Sequence, residues 1–560
     1  MIIKNIAIPD GKMGKVGKIQ VKVGDSITVG DIVAQVETAK GNRPIKATTS
    51  GVILKILCEE GSEIASNAEM FEVDEREIIS EPQETEAVRE APNTLEELNT
   101  DLLIIGAGPG GYVAAIYAAK HGLKVTLVEK SELGGTCLNW GCIPTKALVK
   151  SSEIFHNVQN AAHFGVNLDG NISVNMKQVI KRKDEVKDRL VSGIDFLMKK
   201  NEIHVISGQA FFLDGNTVAV TGKESYMVKA KDIIVATGSK ISKIGILGID
   251  LPFVMNSTTA LSCTELPKSI VIIGGGVIGM EFACIYKNFG VDVHVIEFMD
   301  RVLTMVDTDI SMEIQDIAKE IGIIVYTSSK VTKIQSSVDG KAVLTYEDKD
   351  GEHLLVSEKV LVAIGREPNL ENLEIEKSGV TLNHKGRGIQ VDASMRTNIE
   401  HIYAVGDVTN IIQLAHVASH QGIVAVDNIL NKGKEMDYSA VPNVIFTTPE
   451  IASVGIGEDE AKEKALDVSV SKFSYAANGK ALTMNEPRGF IKLVKDNETG
   501  KIIGCSIIGA DASSLISVLT MGIANGLTEK EITETIFPHP TTGEVIYEAA
   551  LELGIGALHQ

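Results

Sequence analysis

Two of the chain's six cysteines, Cys137 and Cys142, lie five positions apart in the segment GGTCLNWGCIPTK, which also contains Lys146. Thiols this close could bind a metal, form a disulfide or exchange electrons. Zinc is disfavoured because no second Cys or His pair with ligand spacing follows nearby. On an ideal helix, side chains five residues apart differ in direction by about 140°, so a bridge would need a distorted turn and would be readily reduced. The spacing therefore favours a dithiol that is reversibly oxidised and reduced.

Composition indicates a multidomain cytoplasmic protein. The chain has 560 residues, too many for one core, and its 54 Lys and Arg against 74 Asp and Glu give a net charge of −20. That charge disfavours nucleic acid and anionic membrane surfaces as partners. We find no signal-peptide run at the start and no apolar stretch long enough to span a bilayer. Because cytoplasmic thiols stay reduced, the close pair indicates metal or redox chemistry rather than a structural staple.

The cysteine pair follows a segment whose pattern predicts a strand, a glycine turn, a helix and a second strand, TDLLIIGAGPGGYVAAIYAAKHGLKVTLVEK. Gly106, Gly108 and Gly111 form G-x-G-x-x-G, which lets the backbone approach a pyrophosphate at the helix N-terminus. Glu129 ends the second strand, where a ribose hydroxyl would lie. We therefore expect one dinucleotide to bind beside the cysteine pair.

A second segment, SIVIIGGGVIGMEFACIYKNFGVDVHVIEF, repeats this plan with Gly274, Gly276, Gly279 and Glu297. The interval from the first glycine to the glutamate is 23 residues in both copies. A carboxylate accepts a hydrogen bond from a free 2′-hydroxyl but repels a 2′-phosphate, so Glu297 favours NAD over NADP. Arg301 lies close by in sequence, so the sequence leaves NADP open as the less favoured nucleotide.

A small domain precedes these folds. Within residues 1–75, VGDSITVGDIVAQVE and EGSEIASNAEMFEVD are similar, which predicts a pseudo-twofold β-sandwich. Lys40 lies between the halves at an expected hairpin tip, where a lysine is either simply solvated or open to covalent modification. This region resembles the lipoyl domains of 2-oxo-acid dehydrogenase complexes, which carry a lipoyl group on the hairpin lysine; a biotinyl domain is the alternative. Residues 76–98 are acidic, contain two prolines and are predicted to be a flexible linker.

From about residue 100 to its end, the chain resembles the flavoprotein disulfide reductases. CLN-x-GC is most similar to the branch that oxidises dihydrolipoamide. Further segments follow in that family's order: ATGS, AIGREPN, YAVGDV, LAHVASHQG, VPNVIFTTPEIASVG and FPHPTTGEVIYEAALE. The resemblance implies FAD, NAD and a homodimer.

By this resemblance, Cys137 is the thiol that meets the substrate and Cys142 is the thiol that faces the flavin. Lys146 and Glu281 match a pair beside the flavin ring, where a fixed cation tunes electron affinity. Asp407 matches the residue that holds the ribityl chain of FAD. The other matched cofactor positions are Thr237, Gly238, Gly365, Arg366, Gly406 and Ala415.

A base is also needed, because a dithiol attacks as the thiolate. His539 and Glu544 suit this role, since a histidine oriented by a carboxylate exchanges protons near neutral pH. The resemblance places this histidine at the partner subunit's disulfide. Each active site would then be shared between two chains.

The predicted fold class is α/β, with two Rossmann-like dinucleotide-binding domains and an α+β dimer-interface domain after a small all-β lipoyl-type sandwich. Predicted boundaries are 1–75 (lipoyl-like), 76–98 (linker), 99–245 (FAD), 246–370 (NAD), 371–440 (central) and 441–560 (interface). We expect oxidation of protein-bound dihydrolipoamide, without a metal, for a 2-oxo-acid dehydrogenase, acetoin or glycine-cleavage complex. Two alternatives are an NAD(P)H-dependent reductase of another disulfide and a lipoyl carrier that only docks a complex.

Overall fold

Two units make up the chain, Met1–Ala91 and Pro92–Gln560. The structure, a computed structural model, describes residues 2–4, 13–23, 25–27, 31–38, 41–49, 51–74, 96–223, 225–384 and 387–559. Within these residues no helix is long and apolar enough to cross a membrane.

The first unit consists of short strands that form two four-stranded sheets. The strands are β1 (Ile2–Lys4), β2 (Gly14–Ile19), β3 (Ser26–Ile27), β4 (Ile32–Thr38), β5 (Gly41–Lys46), β6 (Gly51–Ile56), β7 (Glu63–Ile64) and β8 (Glu69–Asp74). Their orders are β1-β8-β6-β3 and β5-β4-β2-β7. Alternating apolar residues such as Val16, Val36 and Val73 fill the core between the sheets, as expected for half-buried strands. The predicted all-β sandwich is confirmed.

The predicted modification site lies outside the described residues. Its flanking strands are β4 and β5, which pair antiparallel with Thr38 opposite Gly41. Covalent modification of Lys40 therefore remains a prediction.

The second unit begins with a mostly parallel sheet that carries the first glycine motif. Its elements are β9 (Glu96–Ile105), α1 (Pro109–Lys120), β10 (Val125–Glu129), α2 (Gly135–Asn139), α3 (Cys142–Gln159), α4 (Met176–Lys200), β11 (His204–Phe212), β12 (Thr217–Gly222), β13 (Tyr226–Val235) and β14 (Ser239–Ile241). β9 lies between β10 and β13, parallel to both. Its last four residues are buried, as in a strand covered on both faces.

Strand β9 begins at Glu96, so the predicted linker extends too far. Residues Glu96–Asn99 pair with Tyr226–Lys229 of β13. The linker was predicted because these residues show no regular spacing of apolar side chains. Backbone hydrogen bonds to a neighbouring strand do not need such spacing, so residues 96–98 join the sheet.

A second parallel sheet repeats the arrangement. Its region contains β15 (Val254–Asn256), α5 (Ser257–Ala260), β16 (Ser269–Ile273), α6 (Val277–Asn288), β17 (Asp292–Ile296), α7 (Thr308–Glu320), β18 (Ile323–Tyr326), β19 (Lys330–Ser336), β20 (Ala342–Asp348), β21 (Gly351–Ser357), β22 (Lys359–Val362) and β23 (Arg366–Pro368). The sheet order is β15-β22-β16-β17-β18, and β19-β20-β21 form a separate antiparallel sheet. β23 returns to pair with β14.

The chain then rejoins the first sheet before it forms the last domain. β24 (Ile402–Ala404) pairs parallel with β13, and α8 (Ala415–Ile429) packs on α1. Residues 371–440, expected as a central domain, thus contribute a strand and a helix to the FAD-type fold. Close packing of the helices depends on Gly422, where an added Cβ would lie 2.7 Å from Gly110 O.

The last domain is an antiparallel sheet with helices. Its elements are β25 (Asn443–Ile445), β26 (Ile451–Gly455), α9 (Glu458–Glu463), β27 (Val468–Ser474), α10 (Gly479–Met484), β28 (Phe490–Asp496), β29 (Ile502–Ile508), α11 (Ala512–Ala524), α12 (Glu529–Thr533) and α13 (Glu544–Glu552). The strand order is β25-β26-β29-β28-β27. The described structure therefore has the expected α/β and α+β organisation.

Candidate active site

The two cysteines come from different helices. Cys137 lies in α2, whereas Cys142 is the first residue of α3. The helices are separated by Trp140 and Gly141, and Gly141 has φ −139° and ψ −113°. The spacing predicted a distorted helical turn, and the structure has a complete break between the two helices. The break lets the two thiols approach each other. Both are free thiols, and their side chains are hydrogen-bonded to each other.

This hydrogen bond makes the two thiols unequal. The thiol of Cys137 donates to the sulfur of Cys142 and lowers the pKa of Cys142 to about 7, an effect that the charge of Lys146 reinforces and burial opposes. The same hydrogen bond, together with burial, raises the pKa of Cys137. Cys142 also begins α3, where the N-terminal end of a helix favours a thiolate. Near neutral pH the pair therefore tends to hold one proton, on Cys137.

Lys146 is held close to the cysteine pair by residues from two other domains. Its Nζ lies 2.8 Å from Oε1 and 3.0 Å from Oε2 of Glu281 in α6, whose side chain is buried. The backbone N–H of Phe446 donates to Glu281 Oε1 over 3.0 Å, and the Phe446 ring centroid lies 4.4 Å from Lys146 Nζ. The cation is therefore fixed in position.

The two glycine motifs have matching geometry. An added Cβ at Gly111 would lie 1.8 Å from Gly106 O, and one at Gly279 would lie 1.9 Å from Gly274 O, so both helices start tightly against their strands. At the middle glycines, Gly108 and Gly276, an added Cβ would meet nothing within 4 Å. Each motif thus has a close-packed inner side and an open outer side, which fits a dinucleotide whose pyrophosphate approaches the backbone.

The two strand-end glutamates are also held alike. Oε2 of Glu129 accepts from Ala107 N at 2.8 Å, and Oε2 of Glu297 accepts from Gly275 N. The other carboxylate oxygen of each accepts the amide two residues further along the chain. Both carboxylates therefore lie at their glycine loops, where a ribose hydroxyl could donate.

Asp407 lies at one end of a chain of polar side chains that leads to the cysteine pair. Its Oδ2 accepts from Ser239 Oγ at 2.5 Å, and burial raises the pKa of Asp407 despite this hydrogen bond. Arg366 Nε donates to Ser239 Oγ over 2.8 Å, and its Nη2 reaches Thr136 Oγ1 at 3.3 Å. Thr136 immediately precedes Cys137, so this chain links the Asp407 loop to α2.

The remaining predicted cofactor positions lie at loop ends around the first sheet. Thr237 Oγ1 donates to Asn369 O over 2.7 Å. Gly238 and Gly365 have positive φ and open space where a Cβ would be. Gly406 N donates to Gln421 Oε1, and Ala415 begins α8.

His539 and Glu544 form a dyad at the start of α13. His539 Nδ1 lies 2.9 Å from Glu544 Oε1, and Thr541 N donates to Oε2 of the same carboxylate. Burial raises the pKa of Glu544, but these hydrogen bonds outweigh it and lower the pKa overall. The His539 side chain is 78% exposed. Among the described residues, no hydrogen bond or ion pair joins the dyad to the cysteine pair of the same chain.

Comparison with known proteins decides the family. Residues 100–422 match the pyridine nucleotide-disulphide oxidoreductase family, and residues 441–550 match the dimerisation domain of that family. The chain belongs to the pyridine nucleotide-disulphide oxidoreductases. Residues 4–73 match the biotin/lipoyl family described as biotin-requiring enzyme. The expected resemblances are confirmed, and membership implies FAD, a pyridine nucleotide and association into a dimer.

Relatives cover most of the second unit. A dihydrolipoyl dehydrogenase of Chlamydia trachomatis is 43% identical over 453 residues, which is 80% of this chain and 96% of the relative. One from Bacillus subtilis is 41% identical over 468 residues, 82% of this chain and 97% of the relative. A solved structure, the Cu(II) complex of an HOCl-induced flavoprotein disulfide reductase from Escherichia coli, has TM-score 0.73 and 30% identity and covers 81% of this chain and 99% of that one.

Sequence reasoning did not single out three residues that organise the site. Phe446 supports Lys146 and Glu281, Thr136 contacts Arg366, and Gln421 accepts from the Gly406 amide. Phe446 lies in the segment VPNVIFTTPEIASVG, and Thr136 is adjacent to Cys137, so their positions in motifs were available signals. Gln421, which lies 15 residues from Gly406, is part of the segment LAHVASHQG, so the same kind of signal was available for it.

Proposed function

We propose that this protein is a dihydrolipoyl dehydrogenase, which oxidises dihydrolipoamide and reduces NAD. The observation that carries the proposal is the hydrogen-bonded pair Cys137 and Cys142, with one thiol of lowered pKa at the start of α3. Relatives of that name, 41–43% identical over almost their whole length, support it.

The reaction begins on the disulfide form of the pair. A substrate thiolate attacks the sulfur of Cys137, which forms a mixed disulfide and releases Cys142 as a thiolate. The lowered pKa of Cys142 makes it a good leaving group. The second substrate sulfur then attacks the mixed disulfide, so that cyclic lipoamide leaves and Cys137 is reduced. Two electrons have moved from the substrate to the cysteine pair.

The protons are assigned to His539 and Cys137. His539 removes protons from the substrate thiols through Nε2, because its Nδ1 is engaged by Glu544. One proton goes to the released Cys137 sulfur, whose raised pKa favours the thiol, and the other goes to solvent. We assign this histidine to the partner subunit's cysteine pair, which agrees with its exposure in a single chain and with the match to the dimerisation domain.

The first glycine loop, Glu129 and Asp407 would hold FAD, and the second glycine loop with Glu297 would hold NAD. Bound FAD would supply a two-electron acceptor between the cysteine pair and NAD. Lys146 keeps a positive charge near Cys142 throughout. The guanidinium of Arg301 donates to carbonyls of its own loop, Thr304 O and Val306 O, so the Glu297 carboxylate retains the preference for NAD.

The first unit would supply a lipoyl arm on Lys40. This assignment rests on the match of residues 4–73 to the biotin/lipoyl family and on the paired strands that flank the lysine. With such an arm the enzyme would serve, in the cytoplasm, a complex that uses protein-bound lipoyl groups, of the 2-oxo-acid dehydrogenase, acetoin or glycine-cleavage type.

The proposal is tested by following NADH formation from dihydrolipoamide with the purified flavoprotein. Activity with NAD is expected, and Cys137→Ser and Cys142→Ser should each abolish it. The control is Cys263→Ser, because the thiol of Cys263 donates to the nearby carbonyl of Glu265 and has no role in the proposed reaction. Reduction of a soluble disulfide by NADPH without dihydrolipoamide activity would instead favour the other reductase. Bound flavin absent from the correctly folded protein would favour the carrier role.

A further inference from the structure

The second nucleotide fold and the interface domain meet at a buried lysine. Lys492, in β28, is 2% exposed. Its Nζ lies 2.8 Å from Asp307 Oδ2, 2.7 Å from Asp309 Oδ1 and 3.1 Å from Glu458 Oε2. Burial lowers the pKa of Lys492, but the hydrogen bonds to Asp307 and Asp309 outweigh it and raise the pKa. Lys492 therefore bridges three carboxylates, two from the nucleotide fold and one from the interface domain. Asp309 and Glu458 also pair with the more exposed Lys472 and Lys462.

The carboxylates belong to two helix starts that cap each other. Asp307 precedes α7 and accepts from the first two amides of α9, those of Glu458 and Asp459. In return, Asp459 Oδ2 accepts from Thr308 N, the first amide of α7, at 2.7 Å. Side-chain carboxylates commonly satisfy the free amides of a helix start, but here each helix supplies the other's cap. Without the lysine, the buried carboxylate of Asp307 would lose this cation and would be repelled by the neighbouring carboxylates.

A continuous set of hydrogen bonds runs from this contact to the second glycine loop. Ser311, in α7 and fully buried, donates to Val302 O over 2.6 Å. The next residue, Leu303, donates its N–H to Gly275 O at 2.9 Å. Gly275 in turn donates to Glu297, whose carboxylate faces the nucleotide site. Residues 298–306 thus lie between the helix start fixed by Lys492 and the loop that would bind the pyrophosphate.

We propose that Lys492 is a positioning residue for the nicotinamide nucleotide: by holding the starts of α7 and α9 together it fixes residues 298–306, and through Leu303 it fixes Gly275 and Glu297. The role is indirect, because Lys492 is buried among carboxylates and bonds to neither Gly275 nor Glu297. The inference rests on the proposed use of NAD at the second fold.

The test measures NAD binding and flavin reduction separately. The holoenzyme carrying Lys492→Gln is titrated with NAD by calorimetry, and flavin reduction by dihydrolipoamide is followed by stopped flow. We expect the Kd for NAD to rise about 10-fold, within the range for residues that act through a packed network. Flavin reduction by dihydrolipoamide should change by less than about 2-fold, because that step uses the cysteine pair. Lys492→Arg, which keeps the charge, should recover most of the binding.

A matched control comes from the same strand. Lys495 in β28 pairs with Glu529 of the interface domain at 3.2 Å, so Lys495→Gln removes an ion pair without touching α7. NAD affinity should not change in this variant. If Lys492→Gln does not fold, the same measurements are made on Ser311→Ala. This variant removes the hydrogen bond to Val302 O and keeps Lys492 and its carboxylates. A rise in the Kd for NAD with unchanged flavin reduction then supports the proposal.

Two results would overturn the proposal. One is unchanged NAD affinity in a folded Lys492→Gln, or in Ser311→Ala if the former does not fold. The other is an equal loss in NAD binding and in flavin reduction, which would mean general destabilisation. Failure of the wild-type flavin to react with dihydrolipoamide would contradict the proposed function instead, so the two failures are distinguishable.

Discussion

The carboxylate of Glu281 holds the Nζ of Lys146 at 2.8 and 3.0 Å, although the two residues are 135 positions apart. Lys146 lies one helical turn after Cys142 in α3, while Glu281 lies in the second nucleotide fold. The pair therefore places a fixed positive charge beside the thiol of lowered pKa and ties it to the NAD-type domain.

Removal of the Lys146 charge should raise the pKa of Cys142. In Lys146→Met the thiolate loses a nearby cation, and the expected rise is about one pH unit. Since the wild-type pKa is lowered to about 7, the thiolate is present above that pH and is lost as the pH falls through it; in the variant this loss should occur at higher pH. Alkylation rates of the reduced enzyme against pH measure the shift.

Lys150→Met is the matched control. Lys150 lies in the same helix and pairs with Glu153 at the surface, so its removal should leave the alkylation profile unchanged. The same profile in Lys146→Met and in the wild type would contradict the electrostatic role of Lys146.

Glu544→Gln should slow the reaction with dihydrolipoamide. The variant weakens the hold on His539 Nδ1, and loss of a positioned base commonly costs 10²- to 10⁴-fold in rate, so we expect a loss of about 10²-fold or more. Reduction of the flavin by NADH should be unaffected, because it does not use this base. Rapid-mixing kinetics in both directions test this pattern.

A second His–Glu pair, between Glu548 of α13 and His559 beyond the end of that helix, provides the comparison. His559 Nδ1 lies 2.7 Å from Glu548 Oε1, and His559→Gln should leave the dihydrolipoamide rate within about 3-fold. Equal losses of the dihydrolipoamide rate in His559→Gln and Glu544→Gln would contradict a specific role for Glu544. They would indicate that both changes only disturb the structure around α13.

The two middle glycines should separate the two nucleotides. Gly108 and Gly276 have ordinary negative φ and no neighbour within 4 Å of an added Cβ, so alanine should be tolerated by the fold. We expect Gly108→Ala to fold with little FAD, and Gly276→Ala to keep FAD but bind NAD about 10-fold more weakly. Flavin content and NAD titration measure this. Normal binding of both nucleotides in both variants would contradict the assigned pyrophosphate sites.

Much of this site follows from local sequence. The glycine spacing predicted both strand–turn–helix units, and the strand-end glutamates were expected at their loops. The cysteine spacing predicted a distorted turn but not the complete break between α2 and α3 at Trp140 and Gly141. Whether a helix breaks depends on how its two parts pack. The Lys492 contact was not predicted, since its partners lie up to 185 positions away and charged residues are usually solvated. Likewise, residues 96–98 form a strand only because β13 provides a partner.

The first unit should carry a lipoyl group on Lys40. Protein purified from its native host is expected to show the mass of one lipoyl adduct, absent in Lys40→Arg. A biotin adduct would favour the biotinyl alternative, and an unmodified lysine would contradict the proposed arm.

The central claim is that electrons pass from dihydrolipoamide through Cys137 and Cys142 to bound FAD and then to NAD. Its most direct test is anaerobic stopped-flow mixing of the oxidised flavoprotein with dihydrolipoamide, followed by NAD, in the wild type and in Cys142→Ser. We predict a rapid long-wavelength band from a thiolate beside the flavin, seen only when Cys142 is present, and then NADH formation. A flavin that ignores dihydrolipoamide but is reduced by NADPH would contradict the account.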